Sequence, residues 1–311
     1  MSAASHESVN GEMLECVWDA GAVLGESPLY DPRNNALLWL DIKGGALLTY
    51  CIDSGETSRS PLNGKFSALA LRAKGGYVAA NQDGFHFLER SGPTHSGGPE
   101  GEAKWVLTPR PAVLKGEAKG NRFNDGKADP FGGFWAGTMD DQEINDTAGN
   151  WWHLSPSGDV QCLRRGFHVT NGPAFDPHRQ TAYFTDSARR TVFKARYEAP
   201  GELTDVDTFK QFKDPFGYPD GMTVDAKGCL WIAFWDEACI RRFSPQGDIL
   251  QKIPVPALRP TSLVFAKGAL FITSASIGLS QAQREAYPLS GGLFRIKTPD
   301  ALSPDIQYFK G

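Results

Sequence analysis

The stretch GPAFDPHRQTAYFTD, residues 172–186, decides the fold. An apolar run ends at Asp176-Pro177, a polar turn follows, and a second run sets Tyr183 among apolar neighbours before closing on Asp186. Pro cannot continue a central strand and Asp folds back onto its own backbone, so the unit reads as two short strands joined by a tight turn. Working outward, the unit returns as SPLYDPRNNALLWLD (27–41), SALALRAKGGYVAA (67–80), DGKADPFGGFWAGTMD (125–140), DGMTVDAKGCLWIAF (220–234) and TSLVFAKGALFITSA (261–275). Its aromatic anchors, Trp39, Tyr77, Trp135, Tyr183, Trp231 and Phe271, are 38, 58, 48, 48 and 40 residues apart. That spacing matches a four-stranded propeller blade.

A third run follows several anchors: LLTYCID (47–53), TVFKARY (191–197), CIRRFSPQGD (239–248) and GGLFRIKT (291–298). Helical periodicity is limited to a turn or two at Leu279–Ala286. The expectation is an all-β, six-bladed β-propeller with four-stranded antiparallel blades, since ring closure leaves only short edges. A pair of β-sandwiches with coincident turn spacing is the alternative; six copies with an aromatic at the same place favour the ring. Glu15–Val23 is a candidate strand for closing the last blade. Residues 14–311 then form one propeller domain, behind a polar, unpatterned leader at 1–13 expected to fray.

With 41% hydrophobic and 22% charged residues in 311, the chain can bury a large core. A net charge of -4 argues against nucleic-acid and anionic-membrane partners, which require a basic face, and favours a small-molecule substrate. Five cysteines without a Cys-x-x-Cys pair indicate neither a disulfide framework nor a zinc ribbon. The first residues lack the charge and apolar pattern of a signal peptide, so a cytoplasmic protein is expected, as a monomer or weak homo-oligomer.

In a propeller the start of each innermost strand points toward a shared axis. Counting back from the anchors gives Glu26 at minus 13, Asn124 at minus 11, Asn171 at minus 12 and Asp220 at minus 11, with Ser67 and Thr261 at minus 10. Two carboxylates and a carboxamide meeting in a partly dry channel need a cation or a proton to resolve their charge. Oxygen ligands of this kind suit calcium, magnesium, manganese, zinc or iron(II). The competing view makes Asn171-Gly172 and Asp220-Gly221 ordinary turn dipeptides; their equivalence across blades favours a site.

The segments LGESPLYD (24–31), NRFNDGKADPFGGFWAGTM (121–139), TNGPAFD (170–176) and YPDGMTVDAKGCLWIA (218–233) resemble the senescence-marker-protein, gluconolactonase and luciferin-regenerating-enzyme family, the regucalcin-like sugar lactonases. The resemblance spans about residues 14–298. It implies a six-bladed propeller with one divalent ion held by Glu26, Asn171 and Asp220, with Arg122 on substrate hydroxyls and Asn124 beside metal and substrate. It further implies hydrolysis of aldonolactones such as glucono-, xylono- or arabinonolactone, with Asp220 as general base. The stretch DDQEINDTAGNWWHL after Met139 departs from the pattern. Asp140, Asp141, Glu143, Trp151 and Trp152 therefore read as a solvated acidic loop followed by strand aromatics.

A lactone carbonyl needs a Lewis acid for the developing oxyanion and a base for water. Serine routes are weak, because no Gly-x-Ser-x-Gly elbow occurs and the six histidines lack metal spacing; His168 reads as a strand histidine. For Arg122 the bland alternative is an ion pair with Asp125 or Asp129. Two other functions stay open: a metal-dependent esterase or phosphotriesterase, and a calcium-binding regulatory protein without turnover.

Overall fold

The computed structural model describes residues 7–9, 12–91, 104–110, 114–297 and 305–311. Among them, twenty-five strands form six antiparallel sheets, accompanied by one short helix. The innermost strands, in order of blades 1 to 6, are Gly25–Asp31, Ala68–Leu71, Asn121–Ala128, Thr170–Asp176, Tyr218–Val224 and Arg259–Ala266. Each packs against the next and the sixth against the first, which closes the ring. Blades 1 to 5 have four strands each. This is the six-bladed propeller expected from the repeat.

Blade 6 is completed from both ends of the domain. Its order is Arg259–Ala266, Ala269–Ala275, Leu293–Ile296, Glu12–Trp18 and Glu7–Val9. Leu14 faces Ile296 and Cys16 faces Phe294 in antiparallel register. The closing strand thus runs three residues earlier than the Glu15 start expected. Glu7–Val9 adds a fifth strand within the segment expected to fray; positions 1–6 and 10–11 lie outside the described residues. The one helix, Gln281–Ala286, starts at Ser280, whose hydroxyl caps Gln283 while the Gln283 side chain caps Ser280 in return.

All six anchors sit on second strands and are buried. The hydrophobic core is distributed between blades, in six clusters for six interfaces. Blade 5 to blade 6, for example, joins Trp231, Ile240 and Ile253 to Leu263, Phe265 and Phe294. Burying an aromatic or branched side chain contributes about 1.5–3 kcal/mol, so the interfaces rather than the individual sheets dominate stability. Outermost strands such as Thr57–Pro61 and Ile249–Pro254 are mostly exposed.

The recurrent aspartates make the turns. Asp31, Asp129, Asp176 and Asp225 each accept the N–H two residues on, from Arg33, Phe131, His178 and Lys227, at 2.8–3.1 Å. In two of the four the second oxygen reaches the next blade: Tyr77 of blade 2 donates to Asp31 and Tyr197 of blade 4 to Asp129, both at 2.7 Å. One side chain therefore shapes a hairpin and fastens it to the next blade.

A strap from the C-terminal segment crosses the far end of the channel. Phe309 N–H donates to Leu71 O and Ala73 N–H to Phe309 O, both at 2.8 Å, while Lys310 N–H donates to Gly132 O at 2.9 Å. Phe309 is fully buried beside Phe87. Asp305, Ile306 and Gln307 close a cavity of about 140 Å³ with Lys127, Phe175 and Phe265.

Candidate functional site

Every position singled out by blade equivalence lies at or near the start of an innermost strand, and Glu26, Ser67, Asn124, Asn171, Asp220 and Thr261 are all buried. In five of the six blades, pairing with the second strand breaks at these same places. The register shifts fall between Glu26 and Leu29, Phe123 and Asp125, Asn171 and Ala174, Pro219 and Met222, and Pro260 and Ser262. A bulge adds backbone to one strand and turns a side chain out of the alternating pattern, which is how polar groups come to face the axis. The Asn171-Gly172 and Asp220-Gly221 dipeptides are accordingly strand bulges, not turns. Gly221 is required there by space: a Cβ would lie 2.2 Å from Ser262 Oγ and 2.8 Å from Thr261 O of the next blade.

The channel concentrates negative charge. Burial, then the Asp220 and Asp125 carboxylates, push the Glu26 pKa well above the usual range. Burial and the Asp125 carboxylate do the same to Asp220. Asp125 accepts N–H bonds from Gly126 at 2.7 Å and Gly172 at 3.0 Å, and burial raises it to about 7 against the pull of Lys127. Lys127 itself donates to Met222 O, and burial lowers its pKa. Asp220 Oδ1 is buried with no hydrogen-bond partner among the described residues. A buried acceptor without a donor is costly, and two mutually repelling carboxyls with a carboxamide oxygen nearby are the donor set of a hard divalent cation. The residues fit such an ion.

A second network holds these groups in place. Asn124 Nδ2 donates to Thr170 O at 2.7 Å and to Asn171 Oδ1 at 2.9 Å. Asn171 Nδ2 donates to Ser187 Oγ at 2.9 Å, and that hydroxyl donates to Pro219 O at 2.6 Å, beside Asp220. Arg122 Nη1 donates to Asn124 Oδ1 at 2.7 Å and to Phe123 O at 2.9 Å, while its Nε donates to Asp141 Oδ1 at 2.8 Å. The ion-pair partner of Arg122 is thus Asp141 rather than Asp125 or Asp129.

Asp141 also differs from the solvated loop residue expected. Lys43 donates to it at 3.2 Å and Lys65 donates to its other oxygen. Although burial would raise its pKa, the hydrogen bonds from Lys65 and Lys43 bring it down to about 2. Asp140 instead organises its own loop by accepting N–H bonds from Gln142, Ile144 and Asn145. Trp151 and Trp152 are buried strand aromatics, as expected. His168 is not the strand histidine expected: it lies half-buried on the bend between Val160–Phe167 and Thr170–Asp176, with a ring nitrogen 3.4 Å from the Glu143 carbonyl.

Residues 24–276 match the SMP-30/Gluconolactonase/LRE-like region. The chain belongs to this family. Its relatives include a 6-deoxy-6-sulfogluconolactonase of Pseudomonas putida, 31% identical over 94% of this chain and 98% of that protein. A pentonolactonase of Haloferax volcanii is 28% identical over 94% of this chain and 96% of its own. Among solved structures, a calcium-binding regucalcin of Agrobacterium tumefaciens superposes with a TM-score of 0.83 at 26% identity, covering 95% of this chain and 97% of that one.

Within this SMP-30/gluconolactonase-type propeller, sequence reasoning missed three participants. Asp125 and Lys127 look like turn-flanking polar residues in the repeat, but Asp125 is fully buried and is drawn electrostatically to the part-buried Lys127. Ser187, which aims Asn171, follows Asp186 at a hairpin, and no local pattern marks it. Among the described residues no helix is long and apolar enough to cross a membrane.

Proposed function

We propose that this protein hydrolyses sugar-acid lactones, aldonolactones such as glucono-, xylono- or arabinonolactone, at a divalent metal site formed by Glu26, Asn171 and Asp220. The observation that carries this reading is the buried, unpartnered Asp220 oxygen beside a second raised carboxyl in the channel. Relatives named as lactonases support the substrate class. When bound, the ion supplies Lewis acidity at the lactone carbonyl and lowers the pKa of nearby water.

The side chains divide the remaining work. Asp220, with one oxygen free of hydrogen bonds, takes the proton from water as it adds to the carbonyl carbon. The ring C–O bond then breaks, the ring oxygen takes up a proton, and the open aldonic acid leaves. Arg122 and Asn124 hold sugar hydroxyls: the bonds of Nε to Asp141 and of Nη1 to Asn124 and Phe123 O fix the guanidinium plane and point its Nη2 group to the substrate.

The test is the rate of glucono-1,5-lactone opening after chelation and after adding back calcium, zinc, manganese, magnesium or iron(II), with spontaneous opening subtracted. Full activity in chelator, or in the Asp220→Ala variant, overturns the reading. Metal-dependent melting without lactone opening would point to a calcium-binding regulatory protein. Faster turnover of activated esters or phosphotriesters than of any lactone would redirect the assignment to those substrates.

A further inference from the structure

Three cations from three different blades converge on one carboxylate at the mouth of the channel. Lys43 lies on the turn after Asp41 in blade 1, Lys65 on the loop leading into blade 2, and Arg122 on the first strand of blade 3; all three bond Asp141. The three cations share this one carboxylate directly, while Glu143 and Glu26 act on Arg122 from further away. The Asp140 oxygens face their own loop N–H groups.

The lysines are also incompletely used. An ammonium carries three donors, and the bonds described occupy one on each lysine. Their side chains remain 28% and 44% exposed at the mouth, whereas Arg122 is 4% exposed. The buried end of the cluster joins the inner site through Arg122 to Asn124 and Asn124 to Asn171. The hydrogen-bonded chain that runs outward from Asn171 through Asn124, Arg122 and Asp141 therefore ends at Lys43 and Lys65.

We propose that Lys43 and Lys65, held by Asp141, form an anion-binding subsite that selects sugar lactones bearing a carboxylate, sulfonate or phosphate at the end remote from the reacting carbonyl. The inference rests on the reading of this pocket as a sugar-lactone site. Asp141 is the internal counter-ion that keeps the lysines gathered in the absence of ligand. Lysine is suited to this use because its compact ammonium accepts anions of different shape, whereas the guanidinium of Arg122 is committed by geometry.

Binding rather than turnover tests the subsite, so that its failure is separable from failure of the lactonase reading. Calorimetric titration of the metal-supplemented protein at low ionic strength would compare gluconate with 6-phosphogluconate, 6-deoxy-6-sulfogluconate and glucarate. The expected result is binding at least tenfold tighter than gluconate for one or more of the three. That preference should shrink to within twofold in the Lys43→Gln/Lys65→Gln double variant and should weaken with added salt. The order among the three identifies the anion. Equal binding of all four ligands overturns the proposal, and so does a preference that survives in the double variant. Circular dichroism and melting of the variant distinguish lost recognition from lost folding, and Lys43→Arg/Lys65→Arg, which keeps both charges, should retain the preference. If the preference is present but no lactone is opened, the subsite stands and the catalytic reading falls.

Discussion

Asn124 of blade 3 donates its side-chain N–H to the side-chain oxygen of Asn171 in blade 4, at 2.9 Å. The bond crosses a blade interface and couples the proposed substrate-holding pair to the proposed metal-holding set. Removing it leaves Asn171 Oδ1 without its aligned donor and Thr170 O without a partner from Asn124. For Asn124→Ala, ion affinity should fall by about 10–100-fold, the range for losing a group that orients a metal ligand, and KM for lactone should rise with it. Unchanged values in both metal titration and steady-state kinetics would contradict the coupling.

Glu26 and Asp220 repel one another within the buried channel. Replacing either by its neutral isostere, Glu26→Gln or Asp220→Asn, should weaken divalent-ion binding by a hundredfold or more. The same change should raise the melting temperature of chelated protein, by about 2–4 °C for each kcal/mol of repulsion relieved. Differential scanning calorimetry in chelator checks this sign. A variant melting below the chelated wild type would show that the two carboxyls are not in conflict.

The pH dependence of the chelated protein follows from the same charges. Asp125 is raised from 3.8 to about 7 by burial, and Glu26 and Asp220 are raised as well. A raised carboxyl means that the native state keeps a proton that the unfolded chain has released, so stability is greatest below about pH 4 for these groups and declines as pH rises through about 7. Urea midpoints measured in chelator should therefore fall between pH 5 and pH 8. Saturating divalent ion should flatten or reverse the trend, and a midpoint rising with pH in chelator would refute it.

The strap predicts a stability effect remote from the site. Phe309→Ala empties a fully buried position beneath blades 2 and 3 and should cost about 3–5 kcal/mol. Glu285→Ala, on an exposed helix face, serves as a control with little effect. Chemical denaturation compares the two; equal midpoints would mean that the strap is dispensable.

The blade repeat was readable because each copy carries the same local physics, an Asx turn followed by an aromatic that must be buried. Glu26, Asn171 and Asp220 could be found because blade equivalence turns linear spacing into a ring. Other features had no local signature. Asp141 meets Lys43 and Lys65 across 98 and 76 residues, and acidic loops that stay in solvent have the same composition. The bulges were obscured because Asn-Gly and Asp-Gly serve turns and bulges alike. The closing strand began earlier than expected because residues 12–14 pair with Glu7–Val9, a partner in a polar segment that has no hydrophobic alternation of its own.

Blade 6 draws Glu12–Trp18 onto Leu293–Ile296, so strands at opposite ends of the sequence must meet before the ring exists. Such distant pairing is slow relative to hairpin formation, which places closure late in folding. Blade 1 touches blade 6 through the bridge of Leu24 to Ala275 and the bond from Thr261 Oγ1 to Gly25 O, immediately before Glu26. The axial carboxylates are therefore gathered only when the circle is complete. Ion uptake during refolding would act as a clock for that final event, trailing the recovery of blade-level structure.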